Sequence, residues 1–136
     1  VIIGITSGVI TSAVCVFLLC RVFGLGHQHY VTLLPKSITT AIGMGVSEEA
    51  GGIVTLTVMS IVITGIVGNM CTELFCKIAK ITHPVARGLA IGTSSHALGT
   101  AKALEMGEVE GAMSSLSIAV AGLMTVIVVP MVSGLI

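Results

Sequence analysis

The residues of this chain best suited to chemistry lie between Pro84 and Leu104. Gly92, Thr93, Ser94, Ser95 and His96 run consecutively, followed by Gly99, Thr100 and Lys102, between segments apolar enough for a bilayer. An ionisable side chain at membrane depth points to a functional site. Hydroxyls and the free N–H groups of an interrupted helix can hold an anion, and an imidazole that changes charge near neutral pH can couple its passage to a proton. On an unbroken helix Gly88, Gly92, His96, Gly99 and Ala103 form one stripe, which would equally serve as a close-packing face for a neighbouring helix. A fainter version of the same chemistry lies upstream, where Ser37, Thr39 and Thr40 supply hydroxyls and Lys36 supplies a cation that could instead snorkel to an interface. The candidate substrate-binding residues are therefore His96, Thr93, Ser94, Ser95, Thr39, Thr40 and Lys36.

The elements that must hold these residues are set by composition. Of the 136 residues, 54% are apolar and 9% charged, with a mean hydropathy of +1.13. Soluble domains carry about 25% charged residues, so this chain has too few to cover a globular surface. Three windows have no charge at all: Val1–Cys20, Ala50–Thr72 and Gly111–Ile136. Each reaches the roughly 20 residues needed to span a bilayer. In lipid every backbone group must be bonded internally, so these spans are helices. Pro130 should kink the last or place its final turn at an interface. The expected fold is an all-α, polytopic membrane protein, a single membrane domain over 1–136. It would have about five hydrophobic segments, two of them polar and interrupted by Gly or Pro. The Val at position 1, inside an apolar run, suggests a fragment lacking N-terminal spans.

Several functions are excluded. Six basic and six acidic residues cancel, leaving no footprint for nucleic acid. No phosphate loop, dinucleotide pattern or nucleophile–base pair appears, so an enzyme is not expected and no cofactor is implied. His27 and His29 lack a third ligand, so no metal site is expected. The pairs Cys15/Cys20 and Cys71/Cys76 have neither zinc nor redox spacing and read as small apolar residues.

Thr39-Thr40-Ala41-Ile42-Gly43 aligns without a gap on Ser95-His96-Ala97-Leu98-Gly99, and acidic residues and a charge-free span follow both. This suggests an internal repeat, a frequent feature of transporters. If both polar segments cross the membrane, Arg21, Lys36, Lys77, Lys80 and Arg87 share one face, and Lys102 alone among the cations breaks the pattern. That sorting favours five crossings. Re-entrant segments entering from opposite faces are the alternative, because Tyr30 to Val46 is short for a span.

Two stretches, LLPKSITTAI (Leu33–Ile42) and HPVARGLAIGTSSHALGTAKALEMGEVEGAMSSL (His83–Leu116), resemble the two signature regions of the LrgB/CidB family. The first departs from the family pattern at Ala41, where proline is usual. The resemblance implies a multi-pass protein of the bacterial inner (plasma) membrane, partnered by a smaller holin-like LrgA/CidA protein. It implies a role in modulating murein hydrolase activity and autolysis. Related plastid proteins resemble glycolate/glycerate carriers, and some bacterial relatives are linked to pyruvate, so a carrier of small carboxylates is expected. The alternative is a holin/antiholin-like protein acting through oligomerisation, as a homo-oligomer or with its partner.

Overall fold

A computed structural model describes residues 1–136. It contains six α-helices and no strand: α1 (Ile2–Phe23), α2 (His27–Leu33), α3 (Thr40–Glu49), α4 (Val54–Ile78), α5 (Pro84–Met106) and α6 (Glu108–Val132), closed by a short 3-10 turn. Helices α1, α4 and α6, the last continued through that turn to Leu135, are long and apolar enough to cross a membrane. They correspond to the three charge-free windows. Pro130 falls in the last turn of α6, two residues before its end; lacking an N–H, it cannot bond back to the Val126 carbonyl.

The polar segments fold back on themselves. Helix α2 runs inward from the end of α1, the chain turns through residues 34–39, and α3 returns alongside it. Tyr30, Val31 and Leu34 share a buried cluster with Val46. Thr32 accepts a hydrogen bond from the Ile53 N–H at 2.8 Å, and the Thr57 hydroxyl donates to the Thr32 carbonyl at 2.9 Å. Thr57 and Ser47 share a further bond of 2.6 Å. These bonds fasten the base of the hairpin to the start of α4 and satisfy polar groups that burial would otherwise penalise.

Helix α5 folds back in the same way at one residue. His96 has φ 43° and ψ −139°, far from helical values, and divides α5 into an entering arm (84–95) and a returning arm (97–106). Gly99 of the returning arm faces Ile91 of the entering arm, which eight residues of straight helix would hold about 12 Å apart. Both arms then pack on α6. Gly88 meets Glu110 and Met113, Gly92 meets Ser114 and Ser117, and Leu104 covers Gly111. The Thr100 and Ser114 hydroxyls bond at 2.7 Å. The glycines thus serve packing, but not as one stripe: the break at His96 turns Gly88 and Gly92 toward α6 and Gly99 toward the other arm.

The fold therefore has three helices of crossing length and two hairpins, rather than five segments of crossing length. Seven to twelve helical residues per arm extend only about 10–18 Å, at most about half of a bilayer's apolar thickness. The anomaly of Lys102 disappears, because it lies on the same face as its partners, bonding Glu73 of α4 at 2.9 Å and Glu105 at 3.0 Å. Arg87 and Glu110 close the hairpin base at 3.9 Å, and the Arg87 Nε donates to the Ile81 carbonyl at 2.8 Å. Glu110 also places a negative charge in the first turn of α6, where the helix dipole favours it.

The correspondence between the two halves extends well beyond the short aligned stretch. Helix α1 ends with the Gly24 N–H donating to the Arg21 carbonyl and the Leu25 N–H to that of Cys20. After α4, the Lys80 N–H donates to Lys77 and the Ile81 N–H to Cys76, the positions that the same alignment pairs with Gly24, Arg21, Leu25 and Cys20. Both linkers turn through the left-handed region, Gly24 at φ 65° and Lys80 at φ 53°, which closes a helix by the Schellman pattern. The cysteine pairs also correspond: Cys15 and Cys71 are exposed, Cys20 and Cys76 buried. Each unit is a long helix followed by a hairpin, and α4 runs opposite to α1. The two hairpins consequently enter from opposite faces, here called the Gly24 face and the Lys80 face.

Candidate functional site

Both hairpin tips arrive at Ile61, fully buried partway along α4. Gly43 of α3 packs against its side chain, and the His96 Nε2 lies 2.8 Å from its carbonyl oxygen. A carbonyl only accepts, so Nε2 carries the proton and donates. The imidazole occupies the notch left by Gly65, Ser95 occupies that of Gly68, and Thr93 that of Gly8 on α1. The second tip is thereby clamped between α1 and α4.

Beside this clamp a cleft of about 670 Å³ runs from the Lys80 face inward, within the range usual for small-molecule sites. Its walls are the first half of α1, the last half of α4 and the entering arm of α5. Lys36 and Ser37, from the opposite hairpin, lie at its inner end. The Lys36 ammonium donates to the Ser37 hydroxyl at 3.0 Å, and Ser37 and Ser12 share a bond of 3.1 Å. No carboxylate pairs with Lys36; every ion pair of the chain involves Arg87 or Lys102. The ammonium's one hydrogen bond is to Ser37; Ser7, Thr11, Ser12, Ser94 and Ser95 line the same cleft.

The structure brings four of the seven candidate residues to one cleft: Lys36, Thr93, Ser94 and Ser95. Thr93 and Ser94 donate to the Leu89 and Ala90 carbonyls at 2.8 and 2.7 Å, and the Ser94 and Ser95 hydroxyls bond each other at 3.2 Å. His96 is buried at the tip with its ring turned to α4, and does not line the cleft. Thr39 and Thr40 are half-buried at the start of α3 and do not line it either; Thr39 makes no side-chain capping bond. Helix α1 also contributes to the cleft. Gly4, Ser7, Gly8, Thr11, Ser12 and Cys15 recur at three- and four-residue intervals on one face of an apolar span, a small and hydroxyl-bearing stripe that was available as a signal. No group of His, Cys, Asp or Glu side chains has the proximity to hold a metal ion.

His96 is strained as well as buried, and this can be measured. Replacing it with either Ala or Gly removes the bond to Ile61, worth about 1 kcal/mol. Glycine additionally relieves a backbone conformation that costs other residues about 1–3 kcal/mol. His96→Gly is therefore expected to melt above His96→Ala in detergent, the reverse of the usual order inside a helix. Ala melting at or above Gly would show that the tip conformation carries no strain.

The model of the LrgB-like family matches residues 1–135. Among curated proteins, the chain is similar to the "Antiholin-like protein LrgB" of Bacillus cereus (strain B4264) and of Bacillus anthracis (strain A0248). Each is 41% identical over 127 residues, covering 93% of this chain and 55% of the relative. The chain thus spans about half the length of the curated relatives it matches. No solved structure matches it.

Proposed function

Because the chain belongs to the LrgB-like family, we propose that it forms the core of a bacterial plasma-membrane protein that carries small carboxylates and thereby influences murein hydrolase activity and autolysis. The observation that supports transport is the uncompensated Lys36, presented by one hairpin tip to a hydroxyl-lined cleft bordered by the other hairpin. Opposed half-depth hairpins built from an inverted repeat are the usual frame for a carrier's binding site. The returning arms α3 and 97–106 both begin near mid-depth, so the positive ends of their dipoles favour an anion there. A half-buried cation without a carboxylate is partly desolvated with nothing in the chain to offset the cost, and a bound anion would supply that offset.

Lys77, Lys80, Arg87 and Lys102 gather at the Lys80 face against Arg21 at the other. The positive-inside rule therefore orients the open cleft toward the cytoplasm. An LrgA-type membrane protein is the partner this reading expects. Liposomes holding the purified full-length protein should accumulate pyruvate, glycolate or glycerate in a saturable manner above empty liposomes. Uptake no greater than that of empty liposomes would defeat the carrier reading.

A second reading follows from the printed name of the relatives: a protein that restrains or forms holin-like lesions through oligomerisation. It predicts release of large dyes from loaded liposomes without substrate selectivity. Selective uptake with large dyes retained would count against it.

A further inference from the structure

The two repeat units do not have equivalent surroundings, and the difference lies in side-chain size. Ala86, Ala90, Thr72 and Cys76 line the open cleft near its mouth at the Lys80 face. Their counterparts in the first repeat unit are Tyr30, Leu34, Val16 and Cys20. All four belong to a single buried cluster at the Gly24 face. Where Ala86 and Ala90 leave space, Tyr30 and Leu34 fill it. Tyr30 is 1% exposed, stacks edge-on against Phe17 with ring centroids 6.2 Å apart, and donates its hydroxyl to the Val132 carbonyl at 3.0 Å. The same scaffold is thus open at one face and sealed at the other.

The geometry points to a two-state device: this conformation is open to the Lys80 face, and Tyr30 with Leu34 forms the closed gate of a second access route at the Gly24 face. In an inverted repeat each unit can adopt its partner's arrangement. The alternative state would withdraw Tyr30 from Cys20 and Val16 and bring the entering arm of α5 against Thr72 and Cys76. The glycine notches that seat Thr93, Ser95 and His96 are the contacts that this exchange would release and remake. The inference rests on the carrier reading of the cleft, and adds where its second opening is and what holds it shut.

Cys20, buried beneath Tyr30, reports the state directly. In the full-length protein in nanodiscs, with every other cysteine replaced, Cys20 should resist a maleimide. Ala86→Tyr plugs the open mouth from the far face without touching the surroundings of Cys20. It is expected to raise Cys20 labelling, and Ala86→Leu to raise it less. Cys20 as protected in both folded variants as in the parent would overturn the proposal; if Ala86→Tyr does not fold, the milder Ala86→Leu decides. Thiol labelling needs no substrate. Increased labelling without any carboxylate uptake would therefore sink the carrier reading and leave the two-state device standing. Selective uptake with unchanged labelling would do the opposite.

Discussion

On the proposed carrier reading, replacing Lys36 with methionine is expected to raise the half-saturating carboxylate concentration of the full-length protein by about 10- to 100-fold. This corresponds to loss of one charge-assisted hydrogen bond, about 1.5–3 kcal/mol. Methionine keeps an unbranched, flexible stem, so the wall of the cleft is preserved while the charge is removed. The bond from the ammonium to Ser37 at 3.0 Å shows where the charge is aimed, beside the Ser37–Ser12 pair. Lys36→Arg should keep the charge and recover part of the affinity, although a planar fork cannot reproduce the contacts of a compact ammonium. Since Lys36 has no carboxylate partner, its loss breaks no ion pair, and the melting temperature of Lys36→Met should equal or exceed that of the parent. This separates a binding role from a structural one. Concentration-dependent uptake in proteoliposomes is the measurement, and an unchanged curve for Lys36→Met would move the anion site elsewhere.

The largest effect on folding is expected at Gly92. A methyl group there meets the Ser114 carbonyl and Cα, together with the Ser117 side chain. Backbone cannot turn aside as a flexible side chain can. Overpacking typically costs about 1–3 kcal/mol, and Gly92→Ala should reach at least the upper end, separating the entering arm of α5 from α6. Gly45, within α3, has nothing near the corresponding position. Gly45→Ala should be neutral or stabilise by about 0.5–1 kcal/mol. Thermal unfolding of the two variants in detergent makes the comparison. Equal melting temperatures would show that the α5–α6 contact is looser than described.

Much of this molecule was legible before folding was considered. Three charge-free windows became three crossing-length helices, because backbone groups in lipid must bond within their own segment. The alignment of Thr39–Gly43 with Ser95–Gly99 continues into matching helix-closing turns at Gly24 and Lys80. Its evidence in sequence was thin because the units share a backbone path more than side chains: Gly24 and Lys80 turn through the same left-handed geometry with unrelated residues. The hydroxyl-rich segments of the family signature also stood out, since their polarity interrupts an otherwise apolar chain.

What the chain alone determined was composition-level: three helices of crossing length, a helical fold, and which segments carry hydroxyl and charged side chains. Those follow from hydropathy and local spacing, which depend on neighbours in sequence. Only the tertiary structure decided that the polar segments turn back, because a single reversed residue at His96 leaves no mark in a pattern that otherwise reads as one continuous helix. It also assigned the roles within the signature. Lys36 and Thr93–Ser95 meet at one cleft although they come from different repeat units, whereas His96, adjacent to Ser95, points to α4 and shapes the tip. Direction across a helix break, and proximity between opposed hairpins, are properties of packing that no local pattern encodes.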